Sequence, residues 1–164
     1  MLRHRGDFET GEVYLILQDI TDLVWKVISG WPALYNARVS QAKLTMMHCD
    51  LHLRNVLFPA SGVLDPLFVD WEGLTTGIGI ADLAHPLVSS MLSAEYLSEL
   101  ECGLVERYHS TLVGEGVDGN SLEDCYRDYR LSLVGIVPQA WDGGSFTRSV
   151  LHLFRSHHCE ELIN

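Results

Sequence analysis

The chain has 164 residues, is 47% hydrophobic and 20% charged, and carries a formal net charge of −11. That length suits one domain or one lobe of a larger one, and the apolar share can bury a core, which excludes a disordered tail. Lys26 and Lys43 are its lysines, and so acidic a chain lacks the clustered Lys and Arg that grip nucleic-acid phosphates. The acid excess suits either a cationic substrate or a plain solvated surface.

The start, Met1 to Arg5, is basic, but Asp7, Glu9 and Glu12 stand where a signal peptide would carry its apolar core. Residues 12–29 place Val13, Leu15, Ile16, Ile20, Leu23, Val24, Val27 and Ile28 at helical spacing, and Gly30-Trp31-Pro32 is expected to stop that helix. A linking segment leads to Lys43. Leu44 to Met47 is a short apolar run, followed by a polar stretch from His48 to Asn55. Val56-Leu57-Phe58 and Leu67-Phe68-Val69 are strand signals joined through Pro59-Ala60-Ser61-Gly62, which predicts a hairpin. The rest reads as helical. Ile80 to Met91 is one helix. A second is capped by Ser93, turns Leu97, Leu100, Leu104, Val105, Tyr108 and Leu112 inward, and ends at Gly114-Glu115-Gly116. Ser121 and Asp124 form a capping-box pattern for a third, with Leu122, Tyr126, Tyr129, Leu133, Ile136 and Val137 inward, ended or kinked at Pro138. Gly143-Gly144 is a break before a last helix over 146–162. The predicted fold is α+β and mostly helical, with a small hairpin set into the helical body.

No apolar run reaches the roughly 18 residues that span a bilayer. Cys49, Cys102, Cys125 and Cys159 make no CxxC pair and no zinc pattern, so free thiols in a reducing cytoplasm are expected. The expected protein is cytoplasmic, with no nucleic-acid or membrane partner. Its oligomeric state is left open.

The chemistry concentrates in His48-Cys49-Asp50-Leu51-His52-Leu53-Arg54-Asn55 and in Asp70, at the end of the second strand of the hairpin. A loop between two apolar runs can present Asp50 from pinned backbone. Asn55 lies five residues on, and the hairpin returns Asp70 beside it. Two carboxylates and an amide oxygen are hard donors that suit Mg²⁺ and bound phosphates. Phosphoryl transfer needs such a set, with a carboxylate to take or orient the proton of the attacking hydroxyl. His48, Asp50 and His52 also spell H-x-D-x-H, a metal-hydrolase pattern, but His4, His85, His109, His152, His157 and His158 supply no second cluster at a recognisable spacing.

The spacing H-x-D-x-x-x-x-N followed by an Asp at a strand end is the catalytic-loop pattern of the kinase-like fold. His48 to Phe58 resembles the aminoglycoside phosphotransferase and choline kinase group. Asp70-Trp71-Glu72 resembles that group's metal-binding segment, and Gly77-Ile78-Gly79-Ile80-Ala81-Asp82-Leu83-Ala84 is similar to its next element. The resemblance is strong over residues 44–90 and continues weakly to about residue 140. It implies the C-terminal lobe of a protein-kinase-like fold, with the hairpin carrying the metal site. It implies Asp50 as catalytic base, Asn55 and Asp70 as Mg²⁺ ligands, His48 as a brace of the loop, and Asp82 as a holder of the loop backbone. His52, Arg54 and Glu72 are further candidates. Cys49 stands where the group usually has Gly, and a backbone twist that favours Gly would be strained there.

The implied activity is transfer of a phosphoryl group from ATP to a hydroxyl of a small molecule. The acceptor is left open, as is GTP in place of ATP. A complete enzyme also needs a glycine loop over the phosphates and a strand lysine, and the residues before His48 offer neither. The expected organisation is therefore a helical lead-in over 1–43 and a catalytic lobe over 44–164, with the nucleotide lobe absent. Three explanations stand: a fragment or mis-started frame with weak or no activity alone, a pseudokinase-like binding module, or a lobe completed by a partner.

Overall fold

The structure is a computed structural model that describes residues 10–60, 62, 65–89, 94–137 and 156. Among the described residues are four helices and two small antiparallel ladders, a mostly helical α+β arrangement. The first helix, α1, is Thr10–Val39. It does not stop at Gly30-Trp31-Pro32, as the sequence suggests, but runs on through Pro32. A proline inside a helix costs about 3 kcal/mol through its missing N–H and the clash of its ring. Tertiary packing outweighs it here. Val24 and Val27 are buried, and Leu23, Trp31, Leu34 and Val39 pack on the core at helical spacing on both sides of the proline. Ending the helix at residue 29 would remove three of these contacts.

The next stretch nests one ladder inside another. The outer ladder pairs β1 (Thr45–Met47) with β4 (Thr75–Gly77), Thr45 opposite Gly77 and Met47 opposite Thr75. The inner ladder pairs β2 (Val56–Leu57) with β3 (Leu67–Phe68), the expected hairpin. Between them lie two facing arms: residues 48–55 leaving β1, and residues 69–74 leaving β3. Nesting therefore brings the His48–Asn55 stretch opposite Asp70. Strands this short are marginal as isolated pairs, so bonds between the arms matter more than the ladders themselves.

Three helices complete the body: α2 (Ala81–Ser89), α3 (Ala94–Gly114) and α4 (Leu122–Ile136). The capping box forms as read: Ser121 Oγ accepts from the Asp124 N–H at 3.1 Å, and Asp124 Oδ2 accepts from the Ser121 N–H at 3.1 Å. α4 is the central helix and packs against α1, α2 and α3. Its buried residues go round the helix (Cys125, Tyr129, Leu131, Leu133, Val134 and Ile136), as a helix covered on all sides requires. Gly135 makes room for Trp31 of α1: a Cβ on it would lie 2.8 Å from the indole ring. Two polar contacts are built into this core. Arg38 of α1 is ion-paired with Asp128 of α4, and Tyr129 donates to buried Glu101 of α3 at 3.2 Å. Among the described residues no helix is long and apolar enough to cross a membrane. The Ser93 cap, Pro138, the Gly143-Gly144 break and most of the helix expected over 146–162 lie outside the described residues.

Candidate active site

The arm from β1 starts at His48, which is buried. Its Nε2 lies 2.9 Å from the Val69 carbonyl oxygen, so Nε2 carries the proton and donates. Nδ1 then accepts, and the Asp50 N–H points to it at 3.4 Å. The ring packs on Trp71 with centroids 4.6 Å apart. His48 thus ties its own arm to the residues on both sides of Asp70. The opposite arm is pinned from its other side too, because the Val69 N–H donates to the Asn55 carbonyl at 3.0 Å. Val69, the residue before Asp70, is held at both its N–H and its C=O. Gly73 adds a close approach: a Cβ there would come 3.0 Å from the His48 carbonyl oxygen.

Asp50 and Asn55 are in direct contact. The Asn55 side-chain amide donates to the Asp50 backbone carbonyl at 2.9 Å and lies 3.3 Å from Asp50 Oδ2. Asn55 is buried, and Asp50 is half exposed. This spends the amide nitrogen on the loop and leaves the amide oxygen for another partner. Asn55 closes a 3-10 turn, Leu53–Asn55. Asp70 is exposed at the start of a second 3-10 turn, Trp71–Gly73, and makes no side-chain capping bond to it. Its φ of 66° and ψ of 60° are left-handed, a region Asp tolerates better than most residues.

Asp82, in the first turn of α2, receives two backbone N–H groups: His48 at 2.6 Å on Oδ2 and Cys49 at 3.0 Å on Oδ1. Each oxygen of the carboxylate serves one donor, as bidentate geometry allows. Cys49 itself has a φ of 65°, the left-handed twist at which glycine would be unstrained. Its thiol is pushed above the ordinary value of 9.0, first by burial and then by the Asp82 carboxylate. It stays protonated at neutral pH.

The further candidates divide. His52 Nε2 lies 3.6 Å from Asp50 Oδ2, beyond hydrogen-bond reach, and its Nδ1 is buried without a hydrogen-bond partner. Arg54 and Glu72 are exposed, one in each 3-10 turn. Among the described residues, no group of three or more His, Cys, Asp and Glu could hold a metal ion. Sequence reasoning passed over Val69, which acts through its backbone, Gly73, whose missing side chain leaves room for the His48 carbonyl, and His85, whose Nδ1 lies 3.1 Å from the Leu51 carbonyl oxygen. A bond to a main-chain atom leaves no pattern in side-chain identity.

The comparisons fit this arrangement. The mostly helical body with its small antiparallel ladders is compatible with a partial kinase-like domain. The model of the phosphotransferase enzyme family, APH, matches residues 7–119. That is more than half of the 164 residues, and the chain belongs to this family. The match takes in all of α1, well ahead of the motif-bearing segment 44–90, and stops before α4. No curated protein and no solved structure matches the chain.

Proposed function

We propose that the chain is the catalytic lobe of an ATP-dependent phosphotransferase acting on a hydroxyl of a small molecule. The observation that carries this reading is the bonded link Asp50–Asn55–Val69, which joins the residue expected to act as base to one expected metal ligand, Asn55, and to the neighbour of the other, Asp70. Asp50 is half exposed, so an acceptor hydroxyl can reach its carboxylate. There Asp50 takes or orients the hydroxyl proton while the oxygen bonds to the γ-phosphorus of ATP and the bond to ADP breaks. The Asn55 amide holds Asp50 by its backbone and side chain at once, which limits the loss of orientation that would otherwise slow the transfer.

Asn55 and Asp70 are the residues that would hold Mg²⁺. An amide oxygen and a carboxylate are hard donors, and Mg²⁺ is ordinarily bound by one or two carboxylates together with substrate phosphates and water. A site of that kind needs no cluster of three protein ligands. When bound, the ion neutralises charge on the phosphates. His48 and Asp82 hold the backbone on which these residues sit.

The organisation proposed with this function is a helical lead-in over 1–43 and a catalytic lobe from residue 44. Lys26 lies within α1 and so is not on a strand. Among the described residues no lysine lies on a strand, and the strand lysine and glycine loop that cover a nucleotide are proposed to come from a separate lobe. The test is ATP binding by calorimetry with and without Mg²⁺, in the parent chain and in D70N, followed by turnover with a panel of hydroxyl acceptors. Mg²⁺-dependent binding that D70N abolishes is expected. Binding without metal dependence would favour a non-catalytic, pseudokinase-like module. Turnover by the chain alone would refute the assignment of an essential lobe outside it.

A further inference from the structure

α2 touches the loop in a second place. His85 follows Asp82 by three residues and shares its face of the helix. Its Nδ1 lies 3.1 Å from the Leu51 carbonyl oxygen. A carbonyl only accepts, so Nδ1 carries the proton and donates. Asp82 accepts from the N–H groups of residues 48 and 49, ahead of Asp50. His85 donates to the C=O of residue 51, behind it. The two grips have opposite polarity and fall on opposite flanks of one residue. A slip of the loop along α2 would break both, because neither group can serve the other's partner. Asp50 is the one residue of 48–51 whose backbone α2 does not hold. Its N–H faces His48 Nδ1, and its C=O accepts from Asn55.

We infer that His85 is a positioning residue for Asp50, its Nδ1–H bond to Leu51 fixing the rear flank of the loop as Asp82 fixes the front. The inference rests on the proposed role of Asp50, but the grip can be read without any turnover. Cys49 lies in the gripped segment; the residue is exposed overall, but its thiol is partly desolvated where it lines, with His85, an apolar cleft of about 180 Å³ behind the loop, so full access to it needs the segment to open. Its alkylation rate therefore reports how firmly the segment is held. The donor must sit at the δ position of residue 85. Asn carries its amide nitrogen there, and Gln carries it one bond further out.

The experiment alkylates the full chain with iodoacetamide and follows each site by peptide mass spectrometry, with exposed Cys102 of α3 as internal control. H85A and H85Q are expected to raise the rate at Cys49 about fivefold, the weight of one neutral hydrogen bond in a local opening equilibrium. H85N should return it to within about twofold of the parent, on the same one-bond reasoning. The Cys102 rate should not change. An H85N rate equal to that of H85A, an H85A rate equal to the parent, or a parallel rise at Cys102 overturns the inference. Where the chain turns over Mg·ATP, H85A should lower kcat and leave KM for ATP unchanged; the reverse split counts against it. A parent chain without Mg²⁺-dependent nucleotide binding counts against the proposed function, and the Cys49 pattern still decides the grip.

Discussion

Replacing Asp82 by alanine removes the acceptor of two backbone N–H groups, those of His48 and Cys49, at 2.6 and 3.0 Å. A hydrogen bond to a charged acceptor contributes about 1.5–3 kcal/mol. The site is only partly buried, so water can replace part of each bond, and the low end applies twice. D82A is expected to cost about 3 kcal/mol, or roughly 9 °C in Tm for a chain of this size. D82N should be nearly as damaging, because its single oxygen serves one donor while its NH₂ group faces the other. The assay is urea unfolding of both variants together with hydrogen exchange at the His48 and Cys49 amides, where protection should fall most. A loss under about 1 kcal/mol, well below one charge-assisted bond, would refute the reasoning. So would D82N matching the parent, or unchanged exchange at those two amides.

Three other outcomes follow from the geometry. C49G should raise stability by about 0.5–1 kcal/mol in urea, because it relieves a left-handed φ of 65° at a cost partly offset by the freer unfolded chain. R38L leaves Asp128 buried without its ion-pair partner and should lose about 3–5 kcal/mol, while the double replacement R38L/D128L should recover most of that loss. Stability should fall as pH rises above 9.0, the ordinary thiol value, because burial raises Cys125, Tyr108 and Tyr126 in the folded state. Above the ordinary value the unfolded chain has released protons that the folded chain still holds, so the slope of stability with pH is negative there. Alkaline urea titrations of the parent and of C125A, whose slope should be shallower, check this.

The hairpin was legible because Val56-Leu57-Phe58 and Leu67-Phe68-Val69 are local β signals with Pro and Gly between them. The capping box at Ser121 was legible for the same reason: two positions three residues apart, Ser121 and Asp124, decide it. What escaped was settled at long range. Thr75-Thr76-Gly77 carries no strand signal of its own and becomes β4 only because β1, thirty residues earlier, pairs with it. Pro32 reads as a stop until Trp31 is seen seated on Gly135, more than a hundred residues away. At the site, Asp50, Asn55 and Asp70 were readable as a spaced set of oxygen donors. The braces that hold their backbone at Val69 and Leu51 were not, since main-chain donors and acceptors are the same in every sequence.

The Arg38–Asp128 pair spans ninety residues of chain. Because α4 is the helix on which α1 closes, Val24, Val27 and Trp31 have no finished surface to rest on until α4 has been made. At about 5–20 residues per second of synthesis, ninety residues take roughly 5–18 s. For that interval an amphipathic helix stands with its apolar side uncovered. The His48–Asn55 loop, which lies between the two, is made before the scaffold that holds it, so its grip on α2 is completed only after α1 and α4 have closed on each other.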